Sequence, residues 1–145
     1  MTIAQCFKGL ADQTRLRMLN LLFRGELCGC DVQHVLDLSQ SNVSRHLNYL
    51  KRAGLVLDRR EGYRVFYRLA DGQDKSSALL FEYLRTVFGR DAVFAADVRD
   101  LKSAIRDGAC TLSERPTGRP RSTPSATILG ARIEMKTRRP AVNGR

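Results

Sequence analysis

Residues 39–54, SQSNVSRHLNYLKRAG, decide the fold that we expect for this chain. Ser39 is a favoured N-cap residue and Gly54 is a favoured residue just beyond a helix, so the stretch predicts one helix between them. Its predicted buried face consists of Val43, Leu47 and Leu50, which recur at helical spacing. The remaining surface carries hydrogen-bonding groups and no acid, a composition that suits contact with a nucleic acid. The residues that we expect to contact DNA here are Gln40, Ser41, Asn42, Ser44, Arg45, His46 and Asn48.

Shorter amphipathic helices are predicted before this stretch. Their apolar stripes are Ile3, Cys6, Phe7 and Leu10, followed by Leu16, Leu19, Leu22 and Phe23, and Gly25 ends the second stripe. A third, weaker helix is predicted from about Cys30 to Asp37, directly before the short break that leads to Ser39. Two helices joined by a short break, the second of them polar, are typical of a helix-turn-helix.

After residue 55 the apolar period changes from about 3.6 to about 2, which predicts a β-hairpin. Its strands are expected at Val56–Arg60 and Tyr63–Leu69, on either side of the pair Glu61-Gly62. Three basic residues, Arg59, Arg60 and Arg64, are expected to cluster at its tip and to contact DNA. The predicted fold is therefore mainly α with a β-hairpin, a winged helix-turn-helix.

Composition gives the chain a strong attraction for polyanions. Its 145 residues hold 25 Lys and Arg against 15 Asp and Glu, a net charge of +10. Residues 113–145 alone hold 8 basic against 2 acidic residues and all four prolines, so we predict a disordered basic tail after a DNA-binding and dimerisation domain at 1–112. No run reaches the roughly 18 apolar residues of a membrane span and the first residues lack a secretion signal, so we expect a cytoplasmic protein without membrane contact.

Four motifs in unbroken order resemble the arsenic-resistance repressor family of bacterial metal sensors, ArsR/SmtB. They are LADQTRLRMLNLL (10–22), ELCGCDV (26–32), LSQSNVSRHLNYLKRAGLV (38–56) and DRREGYRVFYRL (58–69). The resemblance implies a homodimer that represses transcription at double-stranded operator DNA until a metal or metalloid lowers its DNA affinity. It also implies that Ser39 to Ala53 form the recognition helix and that Arg59 to Arg64 form the wing.

The motif ELCGCDV resembles the Cys-x-Cys core of the arsenic- and cadmium-sensing members, which assigns Cys28 and Cys30 as ligands. Thiolates suit soft ions, so As(III) or Sb(III) is the expected inducer, with Cd(II) and Pb(II) as alternatives; no cofactor is required. Trivalent arsenic prefers three sulfur ligands, and the position of a third cysteine in several family members is Gln33 here. The third ligand is therefore Cys6, or alternatively Cys110, an external thiol or water.

The spacing of the two thiols restricts how they can bind one ion. Residues i and i+2 of an α-helix point about 200° apart, so Cys28 and Cys30 can share an ion only where the backbone is not helical. We therefore expect ligation to distort the start of the third helix, and Gly29 makes that distortion easier.

Three alternative functions make different predictions about this sequence. A thiol-redox sensor of the same fold would oxidise Cys28 and Cys30, although a disulfide at this spacing would be strained in a helix. A nonspecific nucleic-acid protein would depend on charge alone. No catalytic constellation stands out, so an enzyme is not expected. Apolar stripes for a dimer interface or for the subunit core are Leu80, Tyr83, Leu84, Val87, Phe94, Val98, Leu101 and Ile105.

Overall fold

A computed structural model describes residues 2–72 and 74–108. Cys110 and the predicted tail at 113–145 lie outside the described residues. The described elements are, in chain order, α1 (Ile3–Leu10), α2 (Gln13–Leu22), β1 (Leu27–Cys28), α3 (Gly29–Leu36), α4 (Gln40–Arg52), β2 (Val56–Glu61), β3 (Arg64–Leu69), α5 (Lys75–Phe88) and α6 (Ala92–Arg106). None of the helices among these residues is long and apolar enough to span a bilayer. The winged helix-turn-helix prediction is confirmed in its order of elements.

The helix-turn-helix consists of α3 and α4. Asp37 ends α3 in the left-handed conformation with φ 52°, which turns the chain sharply toward the next helix. The Ser39 hydroxyl accepts a hydrogen bond from the Asn42 N–H at 3.3 Å and so caps α4 as predicted. At the other end Gly54 has a φ of 74°, which a glycine adopts without strain. The predicted buried face of α4 is confirmed, because Val43, Leu47 and Leu50 are all buried.

The wing is a three-stranded sheet in the order β1-β3-β2. The short strand β1 was not predicted; it pairs antiparallel with β3 through Leu27 opposite Tyr67 and Cys28 opposite Phe66. The hairpin exists as predicted, but Glu61 pairs with Arg64, so its two turn residues are Gly62 and Tyr63. Gly62 has a φ of 60°. Two-residue hairpin turns with a positive φ at the first central residue favour glycine at that position. The turn therefore begins at Gly62, one residue later than predicted.

The last two helices close the core over α2. Arg17 on α2 donates two hydrogen bonds to the Asp97 carboxylate on α6, at 2.8 and 2.6 Å, and Asp97 is 2% exposed. The buried Asn20 amide donates to the Phe94 carbonyl at 2.9 Å. The ring of Phe88 on α5 packs against the Phe94 ring with centroids 4.4 Å apart. The contacts of Arg17 and Asn20 therefore hold α2 against α6.

The stripe predicted on α5 is divided between two surfaces. Leu84 packs in the core, whereas Tyr83 and Val87 are exposed and form with Leu79 a stripe at positions i, i+4 and i+8. We call Leu79, Tyr83 and Val87 the α5 stripe. On α6 the predicted apolar residues face the subunit core, since Phe94, Val98 and Leu101 are buried and Ile105 packs against them.

Candidate thiol site and nucleic-acid surface

The Cys28 thiol caps the N-terminus of α3. Its backbone is extended, with φ −68° and ψ 148°, and its sulfur accepts a hydrogen bond from the Cys30 N–H at 3.4 Å. Asp31 completes the reciprocal cap, because its carboxylate accepts from the Cys28 N–H at 2.9 Å. Cys30 already belongs to the helix, so the two thiols lie on either side of a helix start. The backbone at Cys28 is therefore already non-helical, which is the condition that the spacing sets for both sulfurs to bind one ion.

The guanidinium of Arg64 lies against both thiols. Its Nη1 is 3.0 Å from the Cys30 sulfur and 3.9 Å from the Cys28 sulfur. Its Nε is buried and has no hydrogen-bond partner among the described residues. Arg64 was predicted to contact DNA; the structure turns it to the thiols instead, because it lies on the same face of β3 as Phe66, which pairs with Cys28.

The two thiols shift each other's pKa in opposite directions. The Cys30 thiol and backbone N–H, together with Arg64, lower the pKa of Cys28 to about 7, although burial acts in the opposite direction. The pKa of Cys30 is raised, mainly because its thiol donates to Cys28 and because it is desolvated. The thiolate is the form that binds soft ions, so Cys28 is prepared for ligation near neutral pH.

Within the part of the chain that the structure describes, no third ligand lies beside this pair. Cys6 is 4% exposed within the core on α1, where burial raises the pKa of its thiol. Across residues 2–72 and 74–108, no three His, Cys, Asp or Glu side chains form a group that could hold a metal ion. Cys6 therefore does not join Cys28 and Cys30 in this chain, contrary to expectation.

The outer face of α4 is polar as predicted. Gln40, Ser41, Ser44, Arg45 and Asn48 are exposed, and Asn42 is half-buried. Arg45 Nη2 donates to Asn42 Oδ1 at 3.1 Å, and Asn48 Nδ2 bonds to Ser44 Oγ at 3.3 Å, so these side chains are ordered along the helix. His46 points the other way: its side chain is 14% exposed and its Nδ1 lies 3.7 Å from Asp12 Oδ1. His46 thus faces Asp12 in this structure, and its contact with DNA stays a prediction.

The three wing arginines do not form one cluster. Arg59 bonds to Glu26 at 2.6 Å and Glu61 at 2.7 Å, and it lies 4.5 Å above the Phe66 ring. Arg60 pairs with Val65 and so faces the opposite side of the sheet, because neighbouring residues of a strand alternate. The cluster prediction overlooked this alternation. Arg60 is exposed and is the wing arginine best placed to contact a phosphate.

Some residues of the site were not found by the sequence reasoning. Asp31 stands three residues after Cys28, which is the spacing of a capping box, and that signal was present in the sequence. Glu26 and the thiol contact of Arg64 left no local signal, because both depend on how β1 pairs with β3.

Known proteins are similar to part of this chain. The model of the bacterial regulatory protein, arsR family, matches residues 12–57. An arsenic resistance transcriptional regulator of Pseudomonas putida is 56% identical over 64 residues, 43% of this chain and 50% of that protein. A homolog of the cadmium resistance regulatory protein CadC from Staphylococcus aureus is 42% identical over 72 residues, 49% of this chain and 60% of that protein. The chain thus spans about half the length of these curated relatives.

A solved structure extends the similarity to the fold. It is the homodimeric winged helix-turn-helix DNA-binding domain of a possible ArsR-family transcriptional regulator from Mycobacterium bovis, determined in solution. Its sequence is 35% identical, the TM-score is 0.52, and the match covers 59% of this chain and 76% of that one.

Proposed function

This chain belongs to the ArsR family of bacterial regulatory proteins, and from that premise we propose that it is a transcriptional repressor released from operator DNA by a thiol-bound metalloid. The inducer is As(III) or Sb(III), bound by Cys28 and Cys30. The relatives that carry arsenic resistance in their names support this choice.

The position of Cys28 is the observation that carries the proposal. Its sulfur caps α3, which packs on the recognition helix α4, and its backbone pairs with Phe66 of the wing. A ligand on Cys28 binds the same sulfur to which the Cys30 N–H donates, so it acts on the N-terminal cap of α3. Ligation therefore acts on both elements that a winged helix places on DNA.

The proposed partner is a two-fold symmetric DNA duplex bound by a homodimer. The homodimeric relative supports the dimer. The α5 stripe supports it too, because exposed apolar side chains in one row are suited to burial against a second copy. On each subunit we assign contacts with base edges to four exposed residues of α4 and a contact with the DNA backbone to the exposed Arg60. The four residues of α4 are Ser41, Ser44, Arg45 and Asn48.

The test measures release of the reduced protein from its operator. Arsenite or antimonite should lower the operator affinity of the unchanged chain, whereas Cys28→Ser or Cys30→Ser should leave the protein bound and unresponsive, because serine is a poor ligand for soft ions. Cys6→Ser is the matched control and should remain inducible, since Cys6 lies in the core apart from the pair. Full induction of both ligand variants would contradict the proposed site.

A cadmium- or lead-responsive repressor is the second candidate, favoured by the similarity to the cadmium regulatory protein. These ions take more ligands than two thiolates, and acidic or backbone oxygens would have to join them. Parallel titrations with Cd(II) and Pb(II) decide between the candidates: release at lower concentrations of either ion than of arsenite would favour the second.

A further inference from the structure

We propose that Arg64 belongs to the inducer site and holds the oxygen atom that stays on arsenic when Cys28 and Cys30 bind arsenite. This inference rests on the proposed function. In this proposal arsenic is bound by two sulfurs and by one hydroxide that comes from arsenite. Arg64 of the wing donates a hydrogen bond to that hydroxide.

The chemistry of arsenite leaves such an oxygen in place. Arsenous acid carries three hydroxides on one arsenic atom, and each thiol that binds replaces one of them and releases one water. Two thiols therefore yield a centre with two As–S bonds, one As–OH group and two released waters, and no electrons are transferred. The described residues offer no third thiol beside the pair, and Gln33 occupies the position where the resemblance would place one.

The Arg64 side chain is placed to receive that oxygen. Its Nη1 contacts both sulfurs, so the guanidinium already borders any atom that they bind together. Its Nε is a buried donor without a partner among the described residues, a costly state for an N–H group and one that an oxygen acceptor would relieve. Guanidinium presents several donors in one plane, so it can keep one contact while it forms another.

This placement also gives the inducer a direct contact with the wing. Arg64 is the first residue of β3 and pairs with Glu61 beside the hairpin turn. An oxygen held by Arg64 therefore joins the arsenic at the start of α3 to the tip of the wing. A ligand without that oxygen would bind the thiols and leave the wing contact unmade.

Two arsenicals separate this inference from the thiol site itself. Sodium arsenite retains an oxygen after two thiols bind, whereas phenylarsine oxide, hydrated in water, loses both oxygens and retains only its phenyl carbon. Each is titrated into the full-length reduced protein without DNA or added thiols, and binding is followed by the ultraviolet absorbance of As–S bonds. X-ray absorption on the arsenite complex then counts sulfur and oxygen neighbours of arsenic.

We expect two sulfurs and one oxygen around arsenic in the unchanged protein. Arg64→Met should weaken arsenite binding about tenfold and phenylarsine oxide binding less than about twofold, because one charge-assisted hydrogen bond is lost only with arsenite. Arg64→Lys keeps the charge and one donor group, so its loss should be smaller. Arg60→Met removes the same charge from the other face of the hairpin and should change neither affinity.

Three sulfurs around arsenic, or an equal loss of both ligands in Arg64→Met, would overturn the role of Arg64. The Cys28→Ser and Cys30→Ser variants report on the proposed function separately. If these variants bind both arsenicals as tightly as the unchanged protein, the thiol site itself is wrong. If they lose both ligands while Arg64→Met binds arsenite normally, only the present inference fails.

Discussion

The Cys28 sulfur accepts hydrogen bonds from the Cys30 backbone and from Arg64, so one side chain serves both as a helix cap and as a candidate ligand. We expect its thiolate to form with a midpoint near pH 7, because those donors, together with the Cys30 thiol, lower its pKa to about 7. Thiolate absorbance in the ultraviolet, measured against pH on the reduced protein, gives this midpoint. Below it the thiol is protonated and is a poorer ligand.

The matched control for this titration is Cys28→Ser, in which the absorbance step near pH 7 should disappear. Arg64→Met removes one of the stabilising donors and should move the step to higher pH. A first step close to the ordinary cysteine value of 9.0 in the unchanged protein would contradict the hydrogen-bond pattern around Cys28.

The sequence could identify Cys28 and Cys30, because a Cys-x-Cys motif is visible without any structure. It could not place Arg64 on them. The direction of the Arg64 side chain depends on the strand register, and moving a strand by one residue reverses the face of every side chain. The turn at Gly62 and Tyr63, one residue later than predicted, fixes that register. His46 illustrates the same limit, since only packing against Asp12 decides its direction.

The proposed function makes operator choice depend on the recognition helix α4. We expect Arg45→Ala to weaken operator binding by about 1–3 kcal/mol and binding to random DNA by clearly less, because an exposed side chain that reads base edges contributes mainly to the specific complex. Fluorescence anisotropy on both duplexes at one salt concentration measures this.

Lys51→Ala is the control on the same helix. Its ammonium is bound to Asp58 at 2.8 Å, so it should affect both duplexes equally and weakly. If Arg45→Ala weakens binding to both duplexes by the same factor, Arg45 contacts only phosphate.

The close contact between α1 and the residues that follow α4 requires glycine at position 9, because there is no room for a side chain. A Cβ atom added at Gly9 would lie 2.9 Å from the Ala53 Cβ and 3.0 Å from Leu55 Cδ1. Gly9→Ala should therefore lower the free energy of unfolding by about 1–3 kcal/mol, because an overpacked core forces its neighbours to shift. Urea denaturation of both proteins measures this difference in the free energy of unfolding.

Gly29→Ala is the matched control for this substitution. Its added Cβ would meet only the Tyr67 ring, at an ordinary 3.5 Å, and alanine favours the helix more than glycine does. An unchanged stability of Gly9→Ala would mean that α1 is free to move away from α4.

The elements themselves were predictable to different degrees for a physical reason. Helix α4 has thirteen residues, a cap at each end and a continuous apolar stripe, so its bounds followed from the sequence. Strand β1 has two residues, too few for any period to appear, and it exists only because β3 lies beside it. Local patterns identify long elements; tertiary pairing creates the short ones.

The whole molecule is expected to act as a dimer through the α5 stripe. Leu79 and Tyr83 are 67% and 65% exposed, and placing a charge among them should oppose burial against a second copy. Leu79→Glu should therefore shift the protein to monomers in sedimentation experiments and weaken operator binding, since one subunit reaches only one half-site.

Lys102→Glu, on the exposed side of α6, is the charge-changing control for this interface. It should leave the sedimentation behaviour unchanged. A stable dimer of Leu79→Glu would locate the interface elsewhere on the molecule.

The ion pair between Arg17 and Asp97 determines when α2 can complete its contacts during synthesis on the ribosome. The two partners lie 80 residues apart in the sequence, and Asn20 lies 74 residues before Phe94, whose carbonyl accepts its hydrogen bond. At about 5–20 residues per second, Arg17 remains without its partner for roughly 4–16 seconds of synthesis. In about the last third of that interval the recognition helix and the wing have been made while α2 still lacks its contact with α6. The proposed repressor therefore completes its DNA-binding domain only after α6 has been made.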